Sequence, residues 1–215
     1  SASSRMSRPA ISIRPDGGWT FGSPSVLMMF YRAPGELQSE LAEMDECMPH
    51  YYKTTSNHGQ GAVTIMRAEA LFCQGRFTDA YIELERAYAQ IKDNGQINME
   101  LCCDFLSRRL SLHTDVEERY TFAERYAALL RYHDASWINI WSATAAYYHA
   151  LRGETDRIPE IFSQHRLSEV NILAPGKPMT EMIENQVYLA QGAYAKVAGR
   201  SAELLAVCEA MHYAL

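Results

Sequence analysis

Residues 66–88, MRAEALFCQGRFTDAYIELERAY, read as two antiparallel helices joined by a tight turn at Gln74-Gly75-Arg76. Gly75 suits that turn because it accepts positive φ without a Cβ penalty. Phe77, Ala80 and Ala87 fall on one side of the second helix. The small Ala80 lets the two helix backbones approach, and Phe77 fills the space beneath the turn. A unit of this kind cannot bury its apolar face alone, so neighbours of the same build are expected along the chain.

The turn glycines supply them. Gly75 and Gly153 lie 78 residues apart, twice the 39 that separate Gly153 from Gly192. One such period after Gly75 falls on Thr114, and one before it on Glu36, next to Gly35. About five hairpins in phase then cover almost the whole chain. The expected fold is all-α: a right-handed superhelix of tetratricopeptide-like helical hairpins, with a period longer than the 34 residues usual for that repeat.

Outward from the central hairpin, residues 1–18 read as an extended lead-in, Ser1–Ser4 as residues left by cloning, and 19–215 as one superhelical unit. The first helix starts at Ser23-Pro24, an N-cap followed by proline at the first helical position, and a second runs from Glu36 to about Tyr52. The loop Ser56–Gly61 closes that pair. A third pair is expected over 97–112 and 115–131, its second helix opened by a capping box of Thr114 with Glu117 or Asp115 with Glu118, with Ala123 and Ala127 as its small residues. The fourth begins at Ser136, turns at Gly153 and re-enters near Ile158-Pro159-Glu160. The fifth spans 179–191 and 193–213, turned at Gly192. The apolar ending Met211–Leu215 lacks a polar cap, so the chain reads as a piece of a larger protein.

Composition narrows the functional classes. Hydrophobic residues make up 47% and charged residues 21%, with a net charge of −6, which disfavours a broad nucleic-acid surface. Arg108-Arg109 is the one notable basic pair and reads as a solvated helix face. No run approaches the roughly 18–20 apolar residues of a membrane span, and no apolar leader stands at the start, so the expected location is cytoplasmic. Five cysteines without a C-x-x-C pair read as reduced, mostly buried thiols.

No H-E-x-x-H, Walker A, G-x-G-x-x-G or G-x-S-x-G motif occurs, so no catalytic residue, metal site or cofactor is expected in this chain. His133 and His149 are a weak metal pairing, and Asp104 beside Cys102-Cys103 opposes a thiolate. Asp45-Glu46, Glu117-Glu118 and Glu181 with Glu184 read as solvated faces. The aromatics are denser than a bare scaffold needs. Hairpin geometry places Ile65, Glu69 and Phe72 on the inner side of the second pair, Ile140, Ala143 and Tyr147 in the fourth, and Met182, Gln186 and Leu189 in the fifth. An apolar groove with a few polar groups suits a peptide or a small molecule stacked on rings.

Three segments also carry a resemblance: FGSPSVLMMFYRAPGELQSELAEMDECMPHYY (21–52), NHGQGA (57–62) and MRAEALFCQGRFTDA (66–80). Over Trp19–Tyr88 the chain resembles the helical-repeat sensor region of the large ATP-dependent LuxR-type, MalT-like transcriptional regulators. The resemblance implies a signal-sensing domain that receives an inducer or partner and relays it to an NTPase and a helix-turn-helix. ATP and DNA would be handled by those modules, which this chain does not contain. The rival expectation is a protein-interaction or self-association scaffold with no small ligand.

Overall fold

The computed structural model describes residues 61–92, 96–132, 135–170 and 177–210, with a few helical positions between 42 and 53. Among the described residues the chain is all-α. Its helices are α1 (Ala62–Cys73), α2 (Phe77–Ile91), α3 (Ile97–Ser111), α4 (Phe122–Leu129), α5 (Ala135–Leu151), α6 (Glu160–Ser163), α7 (Lys177–Ala190) and α8 (Tyr194–Ala210), with single 3-10 turns at Thr155–Arg157 and Leu167–Glu169. The expected lead-in, the first helix, Cys47, His133 and the end beyond 210 lie outside the described residues. Of the helix expected over 36–52, Ala42, Asp45, Glu46, Pro49 and His50 are described; all are helical and exposed.

α1 and α2 form the hairpin expected from the sequence. Ala80, Leu84, Ala87 and Ile91 recur at helical spacing on α2 and are sealed against Ile65 and Ala68 of α1. Two alanines in that row bring the helices close, as the pattern required. Gly61 opens α1 at φ 93°, and a Cβ there would stand 2.6 Å from Cγ2 of Ile91, so the start of α1 is held against the end of α2.

α3 then lies across both. Met99, Cys102, Cys103, Leu106 and Leu110 complete the α1–α2 core. The opposite side of α3 puts Ile97 and Leu101 against Leu129 of α4 and Trp137, Ile138, Ile140 and Trp141 of α5. α5 packs in turn on α7, where Ala146 and Ala150 meet Ile183 and Val187, with Phe162 of α6 and Ile158 closing the end. α8 packs on α7. Successive first helices α1, α3, α5 and α7 therefore stack in order, each burying the apolar face of its neighbour.

The three glycines in phase occupy matching corners. Their φ values are 72°, 71° and 74° at Gly75, Gly153 and Gly192. Each donates its N–H to the carbonyl three residues back: Phe72 at 2.9 Å, Ala150 at 3.1 Å and Leu189 at 3.0 Å. In each case the next residue donates to the carbonyl five back, at 2.9 Å on Leu71, His149 and Tyr188. That is the Schellman ending of a helix, and it calls for a left-handed residue. A fourth such corner closes α6 at His165, φ 55°, whose ring stacks on Tyr188 at 3.7 Å.

The third pair departs from the expectation. Its second helix begins at Phe122, not 115, after an irregular run from Leu112 to Thr121. The capping box is Thr121 with Glu124: the Thr121 hydroxyl accepts from the Glu124 N–H at 3.1 Å, and the Glu124 carboxylate accepts from the Thr121 N–H at 2.8 Å. Glu118 is unavailable for a cap because it pairs with Arg108. Neutralising a buried guanidinium outweighs a surface cap of about 1 kcal/mol. The shifted start also rotates α4, so Ala123 and Ala127 face solvent and Phe122, Arg125 and Leu129 turn inward.

Candidate binding pocket

Arg108 and Arg109 are not a solvated face. α3 is apolar on both sides, so the charges it carries are buried with it. Arg109 crosses to α1 and pairs with Glu69, its guanidinium lying 4.8 Å from the Phe72 ring centre and 4.4 Å from that of Phe105. Its Nε finds no acceptor among the described residues. Burial pushes the Glu69 carboxyl above its ordinary value, and the Arg109 charge only partly opposes this. On the other side Asp104 accepts from the Tyr88 hydroxyl at 2.7 Å and from Arg125 Nε at 2.5 Å. Arg125 also reaches Glu100 at 2.6 Å. Burial alone would lower the Arg125 guanidinium, but the Asp104 charge and the bonds to Asp104 and Glu100 carry it above its ordinary value. Helices α2, α3 and α4 are tied together through this one cluster.

Arg108, one turn beyond Asp104, opens into a cavity of about 490 Å³ between α3, α4, α5 and the Thr155–Arg157 turn. This is within the range of small-molecule sites. Arg108 pairs with Glu118 and donates to the Tyr120 carbonyl, while its guanidinium lies 4.0 Å over the Phe122 ring. Burial pulls its pKa down from the ordinary arginine value, with Asp104 opposing. α5 supplies Trp141, Ala145 and Tyr148, spaced four and three apart so that they share one face. The Trp141 indole N–H donates to the Phe122 carbonyl at 3.1 Å, which fixes its ring against the first turn of α4. Tyr126 lies against the same indole at 4.8 Å between ring centres.

At the mouth Glu154 gathers two guanidinium groups and an imidazole. It accepts from Arg152 Nε at 2.7 Å, meets His149 Nδ1 at 2.8 Å, and stands 3.7 Å from Arg157. The hydrogen bond from Arg152, and then that from His149, hold its carboxyl below the ordinary range.

The residues expected to line a groove sit elsewhere. Ile65 is wholly buried in the α1–α2–α3 core and presents nothing to a ligand. Glu69 is buried against Arg109. Phe72 packs on Phe77 and His113. Ile140 is part of the α3–α5 contact, Ala143 packs toward α7, and Tyr147 lies against Phe105 at 5.6 Å. Met182 and Leu189 are exposed on α7, with Gln186 half-buried. Glu69, Phe72 and Tyr147 are brought into one line through Arg109 and Phe105, but that line is filled by its own members.

None of these residues lines the cavity. On α5 the expected face (140, 143, 147) and the cavity face (141, 145, 148) differ by about one residue, roughly 100° around the helix. A usable signal was present in α3: Glu100, Asp104 and Arg108 recur every four residues between two apolar faces. A charged stripe so enclosed has to find its counterions inside the protein.

Glu184, expected on a solvated face, is buried and pairs with Arg200. Cys102 and Cys103 are buried, and Cys73 is exposed. Burial, then the neighbouring Cys102 and Asp104, push the Cys103 thiol well up. Among the described residues no group of three metal-ligating side chains occurs, and no helix is long and apolar enough to cross a membrane. No family model, curated protein or solved structure matches the chain.

Proposed function

We propose that this chain is the signal-sensing and coupling module of a MalT-like, LuxR-type transcriptional regulator of the cytoplasm, and that it binds rather than catalyses. A small-molecule inducer would sit in the cavity between α3, α4 and α5, and its presence would be relayed to NTPase and helix-turn-helix modules outside this chain. One observation carries the sensing role. The cavity lies where two successive hairpins meet, so an occupant touches α3, α4 and α5 together and its affinity depends on how they pack. A ligand shifts an equilibrium only by its differential affinity for the two states, and a ligand spanning such a junction would have one. The regulator context rests on the resemblance over Trp19–Tyr88.

Thermal unfolding of this chain against a metabolite collection tests the reading. A true ligand at a hundredfold excess over its Kd stabilises by about 2.7 kcal/mol. That gain should vanish in Trp141→Ala and Tyr148→Ala proteins with unchanged circular dichroism. No shift with any compound, while the intact regulator still responds in cells, would place the receptor elsewhere.

A second reading, an interaction or self-association scaffold, is favoured by α8. Tyr194 is 68% exposed and Leu205 60%, and much of that helix is uncovered. Concentration-dependent sedimentation that is abolished by Leu205→Glu would support it. Charges at Phe72 or Tyr147 would be poor probes, since both are packed against neighbouring rings.

A further inference from the structure

The chemistry of the cavity also selects a class of occupant, a selection that rests on the binding role proposed above. We infer that the ligand is a flat, ring-bearing anion, its ring laid on the α4–α5 aromatics and its acidic group at the mouth between Arg152 and Arg157. The wall is built for a planar body. Phe122, Trp141 and Tyr148 converge on the space, and Ala145 leaves the floor low between them. Polar groups on this wall are already engaged: the indole N–H is held by the Phe122 carbonyl, and Arg108 is held by Glu118 and the Tyr120 carbonyl.

Charge decides the rest. Aromatic rings beside carboxylates also describe a receptor for organic cations, but both carboxylates here are committed. Glu118 belongs to the buried Arg108, and Glu154 is shared by His149, Arg152 and Arg157. Three guanidinium groups face two carboxylates around the cavity, which leaves one positive charge in excess even with His149 neutral. That excess sits at the rim. The Arg157 side chain is 65% exposed and reaches one carboxylate among the described residues, Glu154, at 3.7 Å, longer than a hydrogen bond. Arg152 spends its Nε on Glu154, and its side chain is 48% exposed. Two guanidinium forks beside one satisfied carboxylate form a receptor for a carboxylate or phosphate oxygen pair.

The test uses three probes sharing one ring: naphthoate, naphthylmethanol and naphthylmethylamine, titrated calorimetrically into the full chain at low and at physiological salt. The acid should bind about tenfold more tightly than the alcohol at low salt, the amine most weakly, with the preference shrinking as salt rises. In the Arg152→Gln/Arg157→Gln double variant, both positions being largely solvated, the acid should fall to the affinity of the alcohol. Trp141→Ala should weaken all three probes. An amine or alcohol that binds as tightly as the acid overturns the charge assignment but leaves the site intact. Acid binding unchanged in Trp141→Ala places the anion elsewhere and overturns it too. No binding by any probe in the unsubstituted chain removes the site, and this inference with it.

Discussion

The α1–α2 hairpin and the α3–α4 pair occupy equivalent places in the repeat and are held together by opposite means. In the first, two alanines and a glycine corner bring the helices into apolar contact, with a hydrogen bond from the Thr64 hydroxyl to Gln90 at 2.7 Å and, among the described residues, no ion pair between them. In the second, the glycine corner is missing, ten irregular residues intervene from Leu112 to Thr121, and the short second helix docks through Arg125, Asp104 and Glu100. Regular packing leaves no room. The irregular pair holds α4 away from ideal packing, and the cavity opens there. In a stack of hairpins an enclosed cavity is expected where one repeat departs from the others, because regular packing fills the space between helices.

Substitutions probe this contrast between an apolar seam and a charged one. Arg125→Ala strips Asp104 of its buried counterion and should cost about 3–5 kcal/mol in urea unfolding. Should it cost less than a core truncation in the apolar hairpin, the polar cluster is not what secures α4. Leu84→Ala, at the centre of the apolar hairpin, should cost about 2–5 kcal/mol without altering the ligand binding proposed at α3–α5. Gly75→Ala meets no atom within 4 Å, so its cost is purely conformational, about 1–2 kcal/mol from forcing an alanine into left-handed backbone. Gly61→Ala should cost more than Gly75→Ala, since its Cβ would also collide with Ile91; equal losses at the two positions would remove the close approach of α1 to α2.

A weaker response concerns pH. Glu154 has its pKa lowered in the folded state, so its contribution is present above the ordinary value of 4.5 and is lost as pH falls through the lowered one. Glu154→Gln should therefore remove a shallow acid-side decline in melting temperature below about pH 4.5. An identical acid profile in the variant would mean that the rim carboxylate does not feel its arginines.

The same two regions differ in how far their sequence could be read. Around Gly75 the helices and their corner are legible, because helix period, corner glycine and small contact residues all act within some twenty residues. Around α4 the start of the helix was misplaced: Thr114, Asp115 and Thr121 all precede a glutamate by three residues, and local rules rank them alike. Arg108 claims Glu118 from α3, and the Thr114 hydroxyl turns back to donate to the Leu110 carbonyl at 2.8 Å. The same limit applied to the site. Hairpin geometry offers an inner face, but neighbouring residues on a helix point about 100° apart, so Tyr147 lies against Phe105 while Tyr148 lines the cavity.

The all-α class, the helical hairpins and the corners at Gly75, Gly153 and Gly192 were written into the residue order, since backbone conformation and periodicity are properties of neighbours in the chain. It took the folded arrangement to make Arg108, Arg109 and Arg125 interior residues, and to open an aromatic cavity with an arginine rim between α3, α4 and α5. Burial and charge pairing depend on residues 20–40 positions apart, as in Glu69 with Arg109 and Asp104 with Arg125, and no local pattern encodes which of them will meet.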